Sequence, residues 1–302
     1  LDLKFYREIE DLARVRTNTK LKPSKKADLQ VVKPVKTTRY SDIDLNNWKA
    51  YDHVKTDTLW EFPTRLKEGG HSNEYHGNYI PQIAQQLYER FTKKNDVVLD
   101  LFFGSGTSGI EAINMGRRCI GVELKDELAE HVSEKFTPKQ LVTDVNIICA
   151  DSTSELAVDK VKARLEIMGE EKAQFLMLHP PYDDIIKFSD KKEDLSAIAD
   201  LQLFLEKFTL AIKNALNFLK KNKYFAVVIG DVYKKSEVIP LGFYVMDAIK
   251  KNFKTKLKGI IVKNIEGNRG KIGAQGIWRY RAMQSDYYLF KHEYIFVFKK
   301  EF

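Results

Sequence analysis

Short apolar runs alternate with amphipathic stretches between about residues 82 and 252. The runs are rich in Val, Ile, Leu and Phe, as expected of strands buried on both faces of a parallel sheet. They predict five strands, at 96–102, 118–124, 145–151, 174–179 and 224–231. The amphipathic stretches predict helices at 82–92, 106–115, 126–136, 154–168, 200–221 and 240–252. Strands and helices in this order indicate βαβ units.

The alternation ends after residue 252. Residues 257–264 and 287–300 are both strand-like, and no long helix is predicted between them. Two strands that lack a helical crossover can pair antiparallel. We therefore predict an α/β fold whose mainly parallel sheet ends in an antiparallel C-terminal strand pair.

Composition restricts the class of protein. Of the 302 residues, 43% are hydrophobic and 30% charged, which suffices for a large core and excludes disordered and coiled-coil chains. No apolar run reaches the roughly 18 residues that a membrane span needs, and the first residues lack a signal-peptide core, so we expect a soluble, cytoplasmic protein. Cys119 and Cys149 lie inside predicted strands without metal-ligand spacing, so neither a disulfide scaffold nor a metal site is predicted.

The formal net charge of +8 favours a polyanionic partner, and two segments carry much of it. Residues 12–41 contain nine basic residues and one acidic residue, which predicts a basic N-terminal extension over 1–48 and a main domain over 49–302. Residues 250–300 contain 13 basic and three acidic residues, with the string Trp-Arg-Tyr-Arg-Ala at 278–282 after several glycines. This composition predicts a loop that faces nucleic acid, although a solvated tether or hairpin would have the same composition.

A glycine-rich turn follows the first predicted strand. Gly104, Gly106 and Gly109 lie between that strand and a helix, where backbone N–H groups can approach a ligand closely. Glu123 lies at the end of the next strand, 19 residues after Gly104 (123 − 104), as in a dinucleotide site. The turn alone therefore predicts a nucleotide-type cofactor and leaves a dehydrogenase open.

Two motifs narrow the choice of cofactor and of reaction class. The sequence Asp-Leu-Phe-Phe-Gly-Ser-Gly-Thr at 100–107 resembles the D-x-F-x-G-S-G-T loop of the amino-methylating DNA methyltransferases, which bind S-adenosyl-L-methionine (SAM). His179-Pro180-Pro181-Tyr182, at the end of the fourth predicted strand, resembles their (Asp/Asn/Ser)-Pro-Pro-(Tyr/Phe) motif. The order of the two motifs resembles the gamma-type permutation of that family. The resemblance implies a class I SAM methyltransferase (Rossmann-like) fold.

The resemblance also implies the cofactor site. Asp100 and the backbone around the glycines would hold the methionine part of SAM, Glu123 would accept hydrogen bonds from the ribose hydroxyls, and Asp151 would receive the adenine amine. A looser match at 76–81, His-Gly-Asn-Tyr-Ile-Pro, is similar to the motif that lines the methionine pocket in permuted members. The implied cofactor-binding residues are His76, Asn78, Asp100, Phe103, Gly104, Gly106, Thr107, Glu123 and Asp151.

The Pro-Pro-Tyr motif implies methylation of an exocyclic amine, N6 of adenine slightly ahead of N4 of cytosine. In that reaction His179 and the Pro180 carbonyl would accept hydrogen bonds from the amine, Pro181 would fix the turn, and Tyr182 would stack on the flipped base. Histidine departs from the family pattern at the first position. A neutral imidazole, with an ordinary pKa of about 6.5, still offers one acceptor nitrogen. A non-catalytic subunit is the alternative reading.

The expected partner is double-stranded DNA, in restriction-modification or a related marking system. Predicted DNA contacts are Lys187, Trp278, Arg279 and Arg281. No large target-recognition domain is visible, so specificity would come from loops, from the N-terminal arm, or from a second subunit or homodimer. An RNA N-methyltransferase built on the same motifs is a further alternative.

Overall fold

The computed structural model describes residues 36–71, 77–181, 194–198, 200–265 and 275–302. The helices are α1 Pro81–Phe91, α2 Thr107–Asn114, α3 Asp126–Ser133, α4 Pro138–Thr143, α5 Glu155–Ile167, α6 Leu201–Phe218, α7 Leu241–Asn252 and α8 Gln275–Gln284, with short 3-10 turns at Leu45–Tyr51 and Leu195–Ala197. The strands are β1 Leu59–Trp60, β2 Val97–Asp100, β3 Arg118–Glu123, β4 Val145–Cys149, β5 Ala173–Leu178, β6 Leu219–Ile229, β7 Val232–Lys234, β8 Glu237–Ile239, β9 Thr255–Asn264 and β10 His292–Lys300.

Eight strands form one sheet in the order β1-β9-β10-β6-β5-β2-β3-β4. The five strands from β2 to β6 are parallel, and β10 is antiparallel to both β6 and β9. The predicted α/β fold with an antiparallel C-terminal pair is therefore confirmed. The carboxyl ends of β2 to β6 meet at one edge of the sheet, where open α/β sheets bind their ligands.

Helices cover both faces of this sheet. Every residue of β2 and β5 is buried, which explains why both strands were nearly continuous apolar runs in the sequence. One face packs against α5, α6 and α7. The other face packs against α1, α2 and α3, and Trp60 and Tyr79 belong to the same cluster. The second face is the one that carries the candidate site.

Several predicted boundaries are wrong. The helix predicted at 126–136 ends at Ser133, because Thr137 starts a second helix in a capping box with Gln140. The helix predicted at 200–221 ends at Phe218, and the chain passes directly into β6. The loop predicted at 278–282 is part of helix α8, since Arg, Ala, Met and Gln are all good helix formers. Strand β1 and the β7–β8 hairpin were not predicted.

The described residues from 36 onward form one compact unit. Tyr40 packs against Phe91 and Tyr224, with ring centroids 6.2 and 5.2 Å away. The boundary between arm and domain at residue 48 stays a prediction. None of the helices in the described ranges is long and apolar enough to cross a membrane.

Candidate active site

The glycine loop after β2 is held from below by Asp100. One carboxylate oxygen accepts a hydrogen bond from the Phe102 N–H at 2.8 Å, and the other accepts one from Ser108 Oγ at 2.6 Å. Burial raises the pKa of Asp100 to about 7, with a smaller contribution from the charge of Glu123, although both hydrogen bonds oppose the rise. Asp100 thus braces the loop against the first turn of α2.

Backbone conformation at two glycines shapes the loop. Gly104 and Gly106 have φ of +53° and +81°, which other residues adopt with strain. The Gly104 N–H donates to Glu123 Oε2 at 2.9 Å, so the loop is tied to the end of β3. Thr107, the first residue of α2, is buried, and the N–H groups of this first turn face the loop.

The sequence analysis did not predict a close contact that lies beneath the loop. The ring of Phe103 lies on Gly121 of β3, where an added Cβ would be 2.2 Å from Cδ2 of the ring. Only glycine fits at that position. The sequence feature that could have indicated this contact is the glycine inside an apolar strand, because such a glycine often marks the close approach of another group.

Glu123 and Asp151 stand at the ends of neighbouring strands. Glu123 Oε1 accepts a hydrogen bond from the Lys125 N–H at 3.0 Å, so backbone N–H groups bond both of its carboxylate oxygens. Burial raises the pKa of Glu123. Asp151 accepts hydrogen bonds from the N–H and Oγ1 of Thr153, at 2.8 and 2.7 Å. Both carboxylates lie at the edge where a nucleoside would bind.

His179 directly follows β5, which pairs with β2. Its half-buried ring meets the ring of Tyr79 edge to face, with centroids 5.3 Å apart. Burial lowers the pKa of His179 to about 4; the charge of Glu293 opposes this and that of Lys263 adds to it. The imidazole is therefore neutral at physiological pH. Pro180 is buried and Pro181 half-buried beside it.

Tyr79 connects the two halves of the site, a role that sequence analysis did not give it. Arg65 holds its backbone, because Nη1 donates to the carbonyls of Asn78 and Tyr79 at 3.2 and 2.9 Å. Burial, with the nearby charge of Asp100, raises the pKa of the Tyr79 hydroxyl. The residue thus lies between the glycine loop and His179. Three predicted site residues, His76, Tyr182 and Lys187, lie outside the described residues.

A buried ion pair lies on the target side of the sheet. Lys263 Nζ is 3.1 Å from Glu293 Oε1, and the two residues are only 4% and 7% exposed. They are direct partners across β9 and β10. Sequence analysis missed this pair because 30 residues separate its members.

Three of the predicted DNA contacts, Trp278, Arg279 and Arg281, lie on α8. Arg279 and Arg281 are exposed, and the Arg281 guanidinium lies 5.3 Å from the ring centre of Trp278. Ile277, Tyr280 and Met283 are also exposed, at a spacing that places them along one side of the helix. The connection that contains α8 leaves β9 and enters β10 at the edge where β5 and β6 end.

Two family models match the chain. One is described as DNA methylase and matches residues 8–134. The other, conserved hypothetical protein 95, matches residues 82–238, slightly more than half of the chain.

Curated relatives match in short segments. The type II methyltransferase M2.DpnII of Streptococcus pneumoniae is 40% identical over 88 residues, which are 28% of this chain and 30% of that protein. The sequence named probable type III restriction-modification enzyme HindVI Mod subunit, from Haemophilus influenzae, is 35% identical over 100 residues, 32% of this chain and 13% of that protein. The chain thus spans less than a third of the length of these relatives.

Solved structures are less similar. TrmN from Thermus thermophilus has a TM-score of 0.47 and 15% identity, over 74% of this chain and 50% of that one. The [4+2]-cyclase SpnF has a TM-score of 0.47 and 11% identity, over 78% of this chain and 88% of that one. These scores indicate loose similarity only.

Proposed function

Because the chain belongs to the family of amino-methylating DNA methyltransferases, we propose that it transfers a methyl group from SAM to an exocyclic amine in double-stranded DNA. The observation that carries the proposal is the pairing of β2 with β5. It brings the glycine loop after Asp100 next to the His179-Pro180-Pro181 turn, so a cofactor and a target amine can bind side by side at one edge.

The residues of the loop fit SAM. Gly104 and Gly106 give a turn without side chains, and Glu123 and Asp151 provide carboxylate acceptors at the ends of two adjacent strands. Such acceptors suit ribose hydroxyls and an adenine amine. When bound, SAM supplies a methyl group activated by a positively charged sulfonium.

The target amine is a weak nucleophile because its lone pair is delocalised into the base. His179 and the Pro180 carbonyl are the two acceptors that would orient its N–H groups, and the neutral imidazole is suited to accept. Rate enhancement would then come from positioning and preset acceptors rather than from a strong base. Reaching these groups requires the base to leave the duplex.

The base and the biological setting belong to the same proposal. We favour N6 of adenine slightly over N4 of cytosine, and a role in restriction-modification or related DNA marking, in the cytoplasm where bacterial DNA lies. The named relatives include methyltransferases and a Mod subunit of such systems, so a second subunit is a natural partner. Helix α8 offers two exposed arginines to phosphates and an apolar side to the groove.

The test is a methylation assay. Tritiated SAM is incubated with duplex DNA, single-stranded DNA or tRNA, and the labelled nucleoside is identified by chromatography. N6-methyladenine or N4-methylcytosine in duplex DNA is expected. Label confined to tRNA would favour an RNA methyltransferase. SAM binding with no transfer, under conditions in which a Glu123→Ala variant loses SAM binding, would favour a non-catalytic subunit.

A further inference from the structure

Three polar residues share one face of the sheet at its carboxyl edge. Side chains alternate along strands, so His179 is on the face of Met177, Glu293 on that of Ile295, and Lys263 on that of Ile261. Those apolar residues all belong to the cluster that contains Tyr79.

The distances across the sheet are short. Strand β6 lies between β5 and β10, and the register places Ile295 rather than Glu293 level with His179. Glu293 is two residues further along β10, so its backbone is about 12 Å from that of His179 at the usual strand spacing and rise. Val228 of β6, fully buried, lies on the same face between His179 and Ile295. Both long side chains are buried on this face, and both of their charges act on the imidazole.

Burying an ion pair in this position costs free energy, and packing does not require charged residues there. Removing two charges from water costs several kcal/mol per ion in general, and apolar residues of similar volume often replace such pairs without loss of stability. Neighbouring inward positions on β9 and β10, Ile261 and Ile295, are apolar.

We propose that Lys263 and Glu293 are positioning residues for the target amine: as a closed ion pair, they keep the carboxylate of Glu293 from holding His179 as an imidazolium. This inference rests on the proposed function. It makes Lys263 a residue that acts on His179 through Glu293, without contact with the target base.

The sign of the effect follows from the charges. The side chains that face His179 from packed elements include Tyr79, Glu293 and Lys263. In the pair, the ammonium and the carboxylate act on the imidazole in opposite directions and largely cancel. If Lys263 becomes neutral, its ammonium no longer offsets the carboxylate of Glu293, and the imidazolium form of His179 is favoured. If Glu293 becomes neutral, the ammonium alone disfavours imidazolium.

The experiment follows His179 itself, by NMR titration of histidine-labelled protein without SAM or DNA. The signal is assigned from the spectrum of a His179→Asn variant. In Lys263→Met the pKa of His179 should rise by about one unit from its value of about 4. In Glu293→Gln it should fall, and in the doubly neutral Lys263→Met, Glu293→Gln variant it should return towards the parent value. Lys263→Arg keeps the charge and should restore the parent titration.

A matched control separates charge from stability. Lys223 Nζ lies 3.4 Å from Asp96 Oδ2, and both side chains are partly buried. Lys223 is in the first half of β6 and Asp96 directly precedes β2, so this ion pair lies away from the carboxyl edge of the sheet. Lys223→Met should lower stability without moving the titration of His179. If Lys263→Met does not fold, Glu293→Gln carries the test through its opposite shift.

Methyl transfer gives the second readout. In Lys263→Met the acid limb of the single-turnover rate should move upward with the pKa of His179, while KM for DNA stays within about twofold. An unmoved titration in both single variants, or equal shifts of one sign, overturns the inference. That result is independent of whether the parent methylates DNA, which is the test of the proposed function.

Discussion

Asp100 couples protonation to the cofactor site. Its pKa of about 7 leaves the carboxyl about half protonated at neutral pH. A cation bound above the loop favours the ionised form, so binding of SAM should release a proton. Calorimetry in buffers of different ionisation enthalpy measures this release directly.

We predict that SAM affinity rises with pH between about 6 and 8. Asp100→Asn keeps an acceptor oxygen but does not titrate, so it should bind SAM with little pH dependence over the same range. Equal proton release by the parent and by Asp100→Asn would show that another group titrates.

The low pKa of His179 leads to a prediction about the pH dependence and the rate of methylation. Because burial lowers its pKa to about 4, the imidazole stays neutral from pH 5 to 9, and activity should show no acid limb near the ordinary histidine value. His179→Ala should slow single-turnover methylation by about one to three orders of magnitude. His179→Asn, which offers an amide oxygen, should retain much more activity. An Ala variant as fast as the parent would leave the Pro180 carbonyl as the main acceptor.

At the scale of elements, the contact between β3 and the loop can be tested alone. Gly121→Ala should force Phe103 to move, lower the free energy of unfolding by about 1–3 kcal/mol and weaken SAM binding. Gly276→Ala in α8 is the control, because an added Cβ there meets no atom within 4 Å. It should leave SAM affinity unchanged and stability equal or up to about 1 kcal/mol higher. Urea unfolding and calorimetry compare the two.

Helix α8 is the element on which DNA affinity should depend. Replacing Arg279 and Arg281 with Gln should reduce the slope of log K against log salt by up to about two units. Lys220 and Lys221 are equally exposed but begin β6, at the opposite edge of the sheet. Their replacement with Gln should change the slope little. Equal effects of the two double variants would locate the DNA elsewhere.

Elements were predictable where local pattern decides them. The apolar runs gave all five parallel strands, and the glycines with Glu123 gave the cofactor end of the sheet. The β7–β8 hairpin was missed because Lys235 and Ser236 occupy its turn with positive φ, where glycine or asparagine would have signalled one. The loop predicted at 278–282 was wrong because nearby glycines outweighed the helix formers after them. The pairing of Lys263 with Glu293 depends on strand order, which no local pattern contains.

At the scale of the whole molecule, the sheet separates two tasks. Glu123 stands at the end of β3, on one side of the β2–β5 junction, whereas β9 and β10, which precede and follow α8 in the chain, lie on the other side. Substitutions at sites on opposite sides of this junction should behave additively.

Two variants should therefore each lose one of the two affinities, for SAM or for DNA, and keep the other. Glu123→Ala should weaken SAM binding and leave the affinity for duplex DNA unchanged. The Arg279→Gln, Arg281→Gln variant should do the reverse. Calorimetry with SAM and fluorescence anisotropy with labelled duplex provide the two measurements, and loss of both affinities in either variant would indicate one coupled site or a folding defect.

The position of β10 determines the order in which a newly made chain can assemble. This strand comes last among those of the sheet, yet it fills the gap between β6 and β9. Strands β9 and β1 cannot join the sheet until residues 292–300 have left the ribosome, because β9 pairs with β10 and β1 pairs with β9. The parallel strands from β2 to β6 are complete well before that. A nascent chain should thus form the proposed cofactor pocket first and the proposed target half last, so that binding of a methyl donor would precede modification of DNA.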